Sequence, residues 1–406
     1  MFAEIQLQGL LSFGPESPTI PLGALNVLIG ANSSGKSNLV EVFGLLAALP
    51  RRNGLQEGLA DGGAREWLWK GGKDGDQRVG TVRVVVRAEA FKGKAPMDVE
   101  HSLSIRANSW GAAEIQQERI GEAVAREGED EPRRYFDFGE DGHGRLYFPG
   151  PRHFSTEASS SRSKASNIPE YDGTRSVLAS RPGPKDQALI QPLAMQYEEI
   201  VIYRDWRFGR GAPARQVCPT HLPHQQLLPD ASNLPLVLNA LLTSDVYPKL
   251  MTAVQDISDQ FEDVKIRVQG SSAQLVIRER GGWWTPASRL SDGTLRMLSM
   301  LSVLLHHSPP PLVIIEEPEL GLHPDMMPML ADLLKDCATR TQVLVTTHSN
   351  LLVDAINDAS AILVCDKEGS GSSTIRRLDA EALKPWLEDY SVGQLWRTGE
   401  IGGNRW

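Results

Sequence analysis

Apolar and polar residues follow several different patterns along the chain of 406 residues. Residues 3–29 combine short apolar stretches with frequent Gly and Pro, which predicts short strands that end in an apolar run. A helix is predicted from Ser37 to Leu49. Val residues alternate with other residues over 79–90 and predict a further strand, which is expected to pair with 102–107. This part of the chain is therefore expected to include an antiparallel lobe.

The residue composition and the hydrophobic periodicity change twice in the middle of the chain. From about 111 to 223 it is rich in Gly, Pro, Ser and charged residues, which predicts an insertion with mobile loops. Helical periodicity then returns at 233–242 and 246–261. The next segment, 264–280, has the pattern of a hairpin that turns near Gly270. These elements predict a helical lid.

Beyond Leu290, helical and strand patterns alternate. After a first helix, the predicted strands are 312–316, 342–347 and 361–365, and the predicted helices between them are 326–337 and 349–357. Such alternation is typical of a parallel sheet with helical crossovers.

Composition and charge exclude several classes of protein. The net charge of -9 argues against unspecific coating of nucleic acid, but it leaves open a basic groove formed by dimerisation. No apolar run approaches the roughly 20 residues that span a bilayer, and residues 1–8 lack the pattern of a signal peptide. Cys218, Cys337 and Cys365 have no metal-ligand spacing, so we expect reduced, buried thiols and a cytoplasmic protein without membrane association.

Residues 30–37 match the phosphate-loop pattern G-x-x-x-x-G-K-[ST] between a predicted strand and a predicted helix. The motif consists of Gly30, Ala31, Asn32, Ser33, Ser34, Gly35, Lys36 and Ser37. Backbone N–H groups of the loop and the positive end of the helix dipole are expected to surround the phosphates of ATP. The Lys36 ammonium is expected to contact the β- and γ-oxygens, and the Ser37 hydroxyl to ligate Mg²⁺.

Two carboxylates stand at the end of the predicted strand 312–316. Taken alone, such acids are often solvated loop residues, but together with a phosphate loop they indicate catalysis. Glu316 is expected to hold Mg²⁺, directly or through water. Glu317 is expected to orient and deprotonate the attacking water, which requires a carboxylate within hydrogen-bond reach. Most proteins with this arrangement carry Asp at the position of Glu316.

Residues 290–294, Leu-Ser-Asp-Gly-Thr, open a predicted amphipathic helix. They resemble the ABC signature L-S-G-G-Q, in the form seen in RecF-like and SMC-type ATPases. The resemblance implies that the Ser291 hydroxyl and the Gly293 amide bind the γ-phosphate of ATP held by the other subunit. A helix cap by Ser291 or Asp292 is the structural alternative, and it is compatible with that role.

The order of the remaining motifs extends the resemblance. Residues 319–324 stand where this family has its D-loop, and His348 resembles the switch histidine that contacts the γ-phosphate. The resemblance therefore implies Lys36, Glu317 and His348 as catalytic residues. Two interpretations of His323 remain: a functional role in the D-loop, or a cap of the helix that follows.

The resemblance covers residues 1 to about 90 and 225–365, and the match is closest to stand-alone RecF-type ATPases of the AAA family. One element of the family cannot be placed, the glutamine of the Q-loop. Its weak candidates are Gln77, Gln116 and Gln117.

The resemblance implies an α/β fold: an ABC-ATPase head with a mixed or antiparallel β lobe, a parallel-sheet core with the phosphate loop, and a helical lid with an insertion. The core is expected to comprise 1–110 and 265–406, and the insertion with the lid 111–264. Because each subunit would hold its signature far from its own nucleotide, the resemblance implies an ATPase that works as a homodimer closed around ATP.

The residues leave the biological role open between two hypotheses. One is a DNA-associated ATPase of repair, mobile elements or antiphage defence, motivated by the motif style and by residues 204–210, where aromatic and basic residues interleave. An ion-paired surface segment is the alternative interpretation of those residues. The other hypothesis is a nucleotide-gated sensor or scaffold that controls a protein effector.

Overall fold

The computed structural model describes residues 1–59, 62–71, 79–88, 97–139, 141–148, 164–168, 171, 173–180 and 187–403. The chain folds into two compact units and passes between them several times. The first unit comprises Met1–Gly23, Gly30–Ile200 and Val364–Arg377; the second comprises Ala24–Ile29, Val201–Leu363 and Leu378–Trp406.

The first unit contains an antiparallel sheet of eight strands. They are β1 (Phe2–Gln8), β2 (Ile20–Pro21), β4 (Val79–Ala88), β5 (Met97–Ala107), β6 (Ala113–Glu122), β7 (Arg134–Phe138), β8 (Gly144–Phe148) and β9 (Lys164–Ile168), in the order β2-β1-β4-β5-β6-β7-β8-β9. Thr81 of β4 pairs with Ser104 of β5, which confirms the predicted pairing of these two strands.

The expectation of mobile loops over 111–223 is incomplete, because strands β6 to β9 lie within this span. In β6, Ile115 and Ile120 are buried, while the exposed Arg119 forms an ion pair with Asp137 of β7 at 3.0 Å. Arg119 therefore lies on a solvated face of the sheet, and composition alone does not distinguish such exposed strand residues from a loop. Residues 149–163 of the span lie outside the described part of the chain.

The described helices of the first unit are α1 (Lys36–Ala48), α2 (Gly54–Gly58), α3 (Ala64–Trp67) and α4 (Gln187–Glu198). The prediction of α1 is confirmed within one residue at each end. Its buried Phe43 meets Phe2 of β1 edge to face, with ring centroids 5.6 Å apart. Phe2 in turn stacks on Tyr197 of α4 at 5.9 Å. Aromatic packing thus joins both helices to the first strand of the sheet.

A polar network is buried in the core of the first unit. The fully buried carboxylate of Glu118 accepts hydrogen bonds from the hydroxyls of Tyr171 and Ser176. Its Oε1 lies 3.1 Å from His101 Nε2, and His101 Nδ1 lies 3.1 Å from the Tyr197 hydroxyl. Burial raises the pKa of Tyr197 above its ordinary value. Since a buried carboxylate is tolerated only with its oxygens hydrogen-bonded, the network fixes these segments on the sheet.

The second sheet has six strands. They are β10 (Ile200–Tyr203), β15 (Leu312–Glu316), β16 (Gln342–Thr346), β3 (Leu25–Gly30), β17 (Ile362–Lys367) and β18 (Ser373–Arg377), in this order. Strands β15, β16 and β3 are parallel, as predicted, and Glu316 is level with Thr346 and Leu28. The carboxyl ends of these three strands therefore share one edge, where such sheets bind ligands.

The second unit also contains seven described helices. They are α5 (Leu234–Leu242), α6 (Tyr247–Ile257), α7 (Asp292–Leu304), α8 (Met327–Ala338), α9 (Asn350–Ile356), α10 (Ala380–Leu387) and α11 (Val392–Thr398). Helix α5 confirms the predicted helix 233–242, whereas the predicted helix 246–261 is shorter than expected, because α6 ends at Ile257 and Phe261 begins a strand. No helix in the described part of the chain is long and apolar enough to span a membrane.

A small antiparallel sheet accompanies α5 and α6. Its strands are β11 (Cys218–Pro219), β12 (Phe261–Gln269), β13 (Ser272–Glu279) and β14 (Trp284–Pro286), with β13 between β11 and β12 and paired also with β14. The hairpin of β12 and β13 turns at Gly270, which has a φ of 57°, as the sequence predicts.

Candidate nucleotide-binding site

The loop between β3 and α1 has a conformation that requires its glycines. Gly30 has a φ of 155° and Gly35 a φ of 112°. A Cβ at Gly30 would lie 2.4 Å from the carbonyl oxygen of Cys365, and one at Gly35 would lie 2.4 Å from Ser373 Oγ. No other residue type fits these positions without movement of the neighbouring strands, so the two glycines set the shape of the loop.

The carbonyl of Ser34 is held by residues from the far end of the chain. It accepts hydrogen bonds from Cys365 Sγ at 3.1 Å and from Ser373 Oγ at 2.5 Å. Ser12 Oγ lies 2.7 Å from Ser373 Oγ and accepts a hydrogen bond from Asn38 Nδ2 at 2.7 Å. Burial raises the pKa of the Cys365 thiol to about 11, so it stays neutral and can donate. Strands β17 and β18 thereby position the loop.

The loop presents the donors that a phosphate needs. Helix α1 begins at Lys36, and its N-cap, Gly35, supplies no side-chain oxygen to the N–H groups of the first turn. The Lys36 side chain is buried, and its Nζ donates to the carbonyls of Gly30 and Ala31 at 2.7 and 3.0 Å. The Ser34 hydroxyl is buried without a hydrogen-bond partner. These features fit a bound polyphosphate, because it offers acceptors to every one of these donors.

The end of β15 is strained at the predicted catalytic base. Glu317 has a φ of 46°, in the left-handed region that disfavours residues with a Cβ. Its N–H donates to the Thr346 carbonyl of β16 at 2.9 Å. The sharp turn after the strand redirects the Glu317 side chain, which is half-exposed. Backbone strain of this kind concentrates at functional sites.

His348 and Glu317 lie together. His348 Nε2 is 3.4 Å from Glu317 Oε1. Glu319 holds the turn that carries His348, because its Oε1 accepts hydrogen bonds from Thr347 Oγ1 at 2.6 Å and from the His348 N–H at 3.0 Å. The predicted base and the predicted switch histidine thus form one cluster. His323 behaves as a cap, since its Nδ1 accepts a hydrogen bond from the N–H of Asp325 at 3.4 Å.

Glu316 has a basic neighbour. Its Oε2 lies 3.3 Å from Nε of Arg204, the first residue after β10. The carboxylate of Glu316 and the exposed hydroxyl of Ser37 are hard oxygen donors of the kind that Mg²⁺ prefers. Among the described residues no cluster of three or more His, Cys, Asp and Glu side chains could hold a metal by itself. Each of these two side chains has the chemistry of a magnesium ligand, and a magnesium ion takes further ligands from phosphate and water.

The signature loop stands at the start of α7. Ser291 is its N-cap and accepts a hydrogen bond from the Thr294 N–H at 3.0 Å, so the capping role is present. Ser291 is exposed and remains accessible to a ligand. A Cβ at Gly293 would lie 3.0 Å from the carbonyl oxygen of Gly321, within the predicted D-loop. The signature and the D-loop therefore approach each other closely within the second unit.

The structure groups the predicted residues into two sets. Glu316, Glu317, His348 and the signature belong to the second unit, and residues 30–37 belong to the first. The candidate glutamines Gln116 and Gln117 lie in β6 of the antiparallel sheet, and Gln77 lies outside the described residues. The sequence analysis did not predict the contacts that Arg204, Arg215 and Arg296 make with these loops, because the partners are distant in sequence.

The aromatic residues of the segment 204–210 do not offer a surface to bases. Trp206 and Phe208 are buried, and Trp206 packs between Tyr203 and Phe208. Base stacking by this segment, which motivated the DNA hypothesis, therefore has no support from these two rings. Arg207 and Arg210 of the same segment are exposed.

The chain has the fold of ABC-type ATPase heads. An SMC head bound to the C-terminal winged-helix domain of ScpA superposes with a TM-score of 0.54 at 13% identity, covering 94% of this chain and 99% of that one. An SMC head from Pyrococcus furiosus with an extended coiled coil, bound to the C-terminal domain of ScpA, gives a TM-score of 0.54 at 12% identity, with coverages of 96% and 98%. At such identities these likenesses show the fold alone.

A sequence family agrees with this class. The family described as "AAA domain, putative AbiEii toxin, Type IV TA system" matches residues 25–73 and 221–354. No curated protein matches the chain. The resemblance to SMC-type and RecF-like ABC ATPases, inferred above from the motifs, is confirmed.

Proposed function

We propose that this chain binds and hydrolyses ATP and that it does so as a homodimer closed around two ATP molecules. The phosphate loop carries the proposal: a buried hydroxyl without a partner at Ser34, two obligatory glycines and an uncapped helix N-terminus converge on residues 30–37. Donors arranged in this way recognise a polyphosphate rather than a single charge.

The cluster at the end of β15 supports hydrolysis. In the proposed reaction the Glu317 carboxylate accepts a proton from a water as the water oxygen bonds to the γ-phosphorus and ADP departs. His348, whose Nε2 lies 3.4 Å from Oε1 of that carboxylate, would orient the carboxylate and donate to the γ-phosphate. Ser37 and Glu316 would hold Mg²⁺, which neutralises charge on the β- and γ-phosphates. Lys36 contributes a further positive charge.

The exposed signature supports dimerisation. Ser291 and Gly293 stand at the N-terminus of a helix of 13 residues, where N–H groups and the helix dipole favour an anion. In the proposed dimer they bind the γ-phosphate of the ATP on the other subunit. ATP thereby joins the subunits and its hydrolysis releases them, which is a two-state switch.

Three variants test this proposal against matched controls. Lys36→Ala should lose ATP affinity by about 1.5–3 kcal/mol, since it removes charge-assisted hydrogen bonds, while the exposed control Lys384→Ala should not. Glu317→Gln should lower the ATPase rate by about 10²–10⁴-fold and retain an ATP-bound dimer by size exclusion. Ser291→Arg should abolish that dimer but leave ATP binding intact. Normal hydrolysis by Glu317→Gln would remove Glu317 as the base.

DNA is the first candidate for what the switch acts on. The ATPase rate per subunit, measured across protein concentrations with and without double-stranded DNA, should rise with concentration and with DNA. Binding that depends on phosphate contacts should weaken steeply with salt. A DNA complex that is absent or independent of salt would remove this hypothesis.

A protein effector is the second candidate, and it is favoured by one observation. In the SMC head named above, a head of the same fold holds a domain of another protein, ScpA. Retention of one stoichiometric partner by Glu317→Gln only in the presence of ATP would support an effector, and an ATPase rate indifferent to DNA would accompany it.

A further inference from the structure

We infer that Arg215 is a positioning residue for the signature loop, residues 290–294. By holding this loop and balancing its charge, Arg215 prepares it to receive the γ-phosphate of ATP bound to the second copy of the chain. The inference rests on the proposed function, and it assigns a role to a residue that no sequence motif includes.

Arg215 forms hydrogen bonds with the signature loop on both sides of Ser291. Its side chain is only 8% exposed. Nη1 donates to the Leu290 carbonyl at 2.6 Å, and Nη2 donates to the carboxylate of Asp292. Longer contacts of 3.4 Å join Nη1 to the carbonyls of Ala287 and Ser288. One guanidinium therefore determines the path of the backbone that presents the Ser291 hydroxyl.

The charge of Arg215 matters because of Asp292. The signature L-S-G-G-Q has glycine at this position, whereas the form present here has a carboxylate, which is 64% exposed at the first turn of α7. A carboxylate beside an incoming γ-phosphate repels it, and the repulsion is strong where water is excluded by a closing interface. Since Arg215 pairs with Asp292, it offsets this repulsion and leaves the helix N-terminus attractive to an anion.

The Nε end of the Arg215 guanidinium is also held in place. Its Nε donates to the Phe208 carbonyl at 2.6 Å. The guanidinium of Arg296 lies over the Phe208 ring, with its central carbon 5.5 Å from the ring centroid. Arg296 also donates hydrogen bonds to the backbone carbonyls of Trp206 at 3.0 Å and Glu317 at 3.3 Å. Burial lowers the pKa of Arg296 from its ordinary value. The segment that carries Arg215 is thus tied to α7 and to the backbone of the proposed base.

Arg215→Ala provides the first test. The variant should bind ATP with wild-type affinity, within about twofold, because its own phosphate loop is unchanged. Its ATPase rate, and ATP-dependent dimerisation in a Glu317→Gln background, should fall by at least about tenfold, since charged hydrogen bonds on both sides of Ser291 are lost. Arg210→Ala, an exposed arginine of the same segment, should match the wild type. An unchanged rate in Arg215→Ala would overturn the inference.

A second substitution separates charge balance from simple misfolding. If Arg215 offsets the Asp292 carboxylate, then Asp292→Gly should restore several-fold of the activity lost in Arg215→Ala, although it removes a further side chain. Arg215→Lys should retain part of the activity, because it keeps the charge but not the forked hydrogen bonds. Failure of both variants to recover activity would contradict the charge argument.

Mixing two impaired variants tests the action across the interface. Arg215→Ala retains a functional phosphate loop and Lys36→Ala retains a functional signature, so an equimolar mixture should form one complete site and exceed the ATPase rate of either variant alone. A mixture that is no faster than the variants alone, with both variants folded, would overturn the inference. Absence of ATPase in the wild type would instead overturn the proposed function, so the two failures are distinguishable.

Discussion

The backbone of Glu317 offers a sharp test of the strain at the end of β15. We compare two substitutions, Glu317→Ala and Glu317→Gly. Both remove the carboxylate and its contact with His348, so both should abolish hydrolysis. They differ in whether a Cβ occupies a residue with a φ of 46°.

The magnitude follows from two opposing effects. An L-residue in the left-handed region costs roughly 1–2 kcal/mol, and glycine avoids this cost. In ordinary backbone, glycine is less stable than alanine by about 0.5–1 kcal/mol, because the unfolded chain gains freedom. At Glu317 the first effect exceeds the second. We therefore expect Glu317→Gly to be more stable than Glu317→Ala by roughly 0.5–1 kcal/mol, the reverse of the usual order.

Denaturant unfolding and thermal melting measure this order, with an expected difference in Tm of about 1 °C for a chain of this size. Asp332 is the control, since it is exposed within helix α8, and there Gly should be less stable than Ala by about 1 kcal/mol. Equal stability of the two Glu317 variants, or greater stability of the alanine, would refute the assignment of strain to this position.

Two further predictions concern the thiols and the metal site. Burial raises the pKa of the Cys337 and Cys365 thiols to about 11. The folded protein should therefore resist alkylation near neutral pH and react faster only as the pH approaches that value, whereas all its thiols should react in denaturant. Mass spectrometry would detect alkylation of Cys365 in the folded protein, and this result would contradict its burial. Arg204→Ala should lower the Mg²⁺ concentration for half-maximal ATPase by about fivefold, since the competing ion pair with Glu316 contributes about 1 kcal/mol. Arg207→Ala should leave that concentration unchanged, and an unaltered Mg²⁺ dependence in Arg204→Ala would exclude competition.

The parallel core could be predicted because its signals are local. Strand β15 occupies 312–316 as predicted, since a short apolar run between polar residues has few alternatives. Helix α1 and the loop before it follow from one motif with strict spacing. The resemblance to ABC ATPases then supplied the order of the remaining loops, and the fold agrees with it.

The later strands of the antiparallel sheet were harder to predict, because they carry many polar residues. In β6 the buried Ile115 and Ile120 stand among charged and amide residues, and even Glu118 is buried, a composition that is typical of loops. Helix α11 was also missed, although Ser391 and Gln394 form a capping box that marks its start. Asp292 and Arg215 lie 77 residues apart, and no spacing rule connects them.

The hydrogen bonds from Cys365 and Ser373 to the phosphate loop have a consequence for synthesis of the chain. The Ser34 carbonyl meets these side chains across 331 and 339 residues of sequence. During translation the phosphate loop leaves the ribosome more than 300 residues before Cys365 and Ser373, so the loop lacks these two hydrogen bonds for most of synthesis. ATP should therefore fail to engage nascent chains that end before β17, and capture of ATP would report that β17 and β18 have joined the sheet.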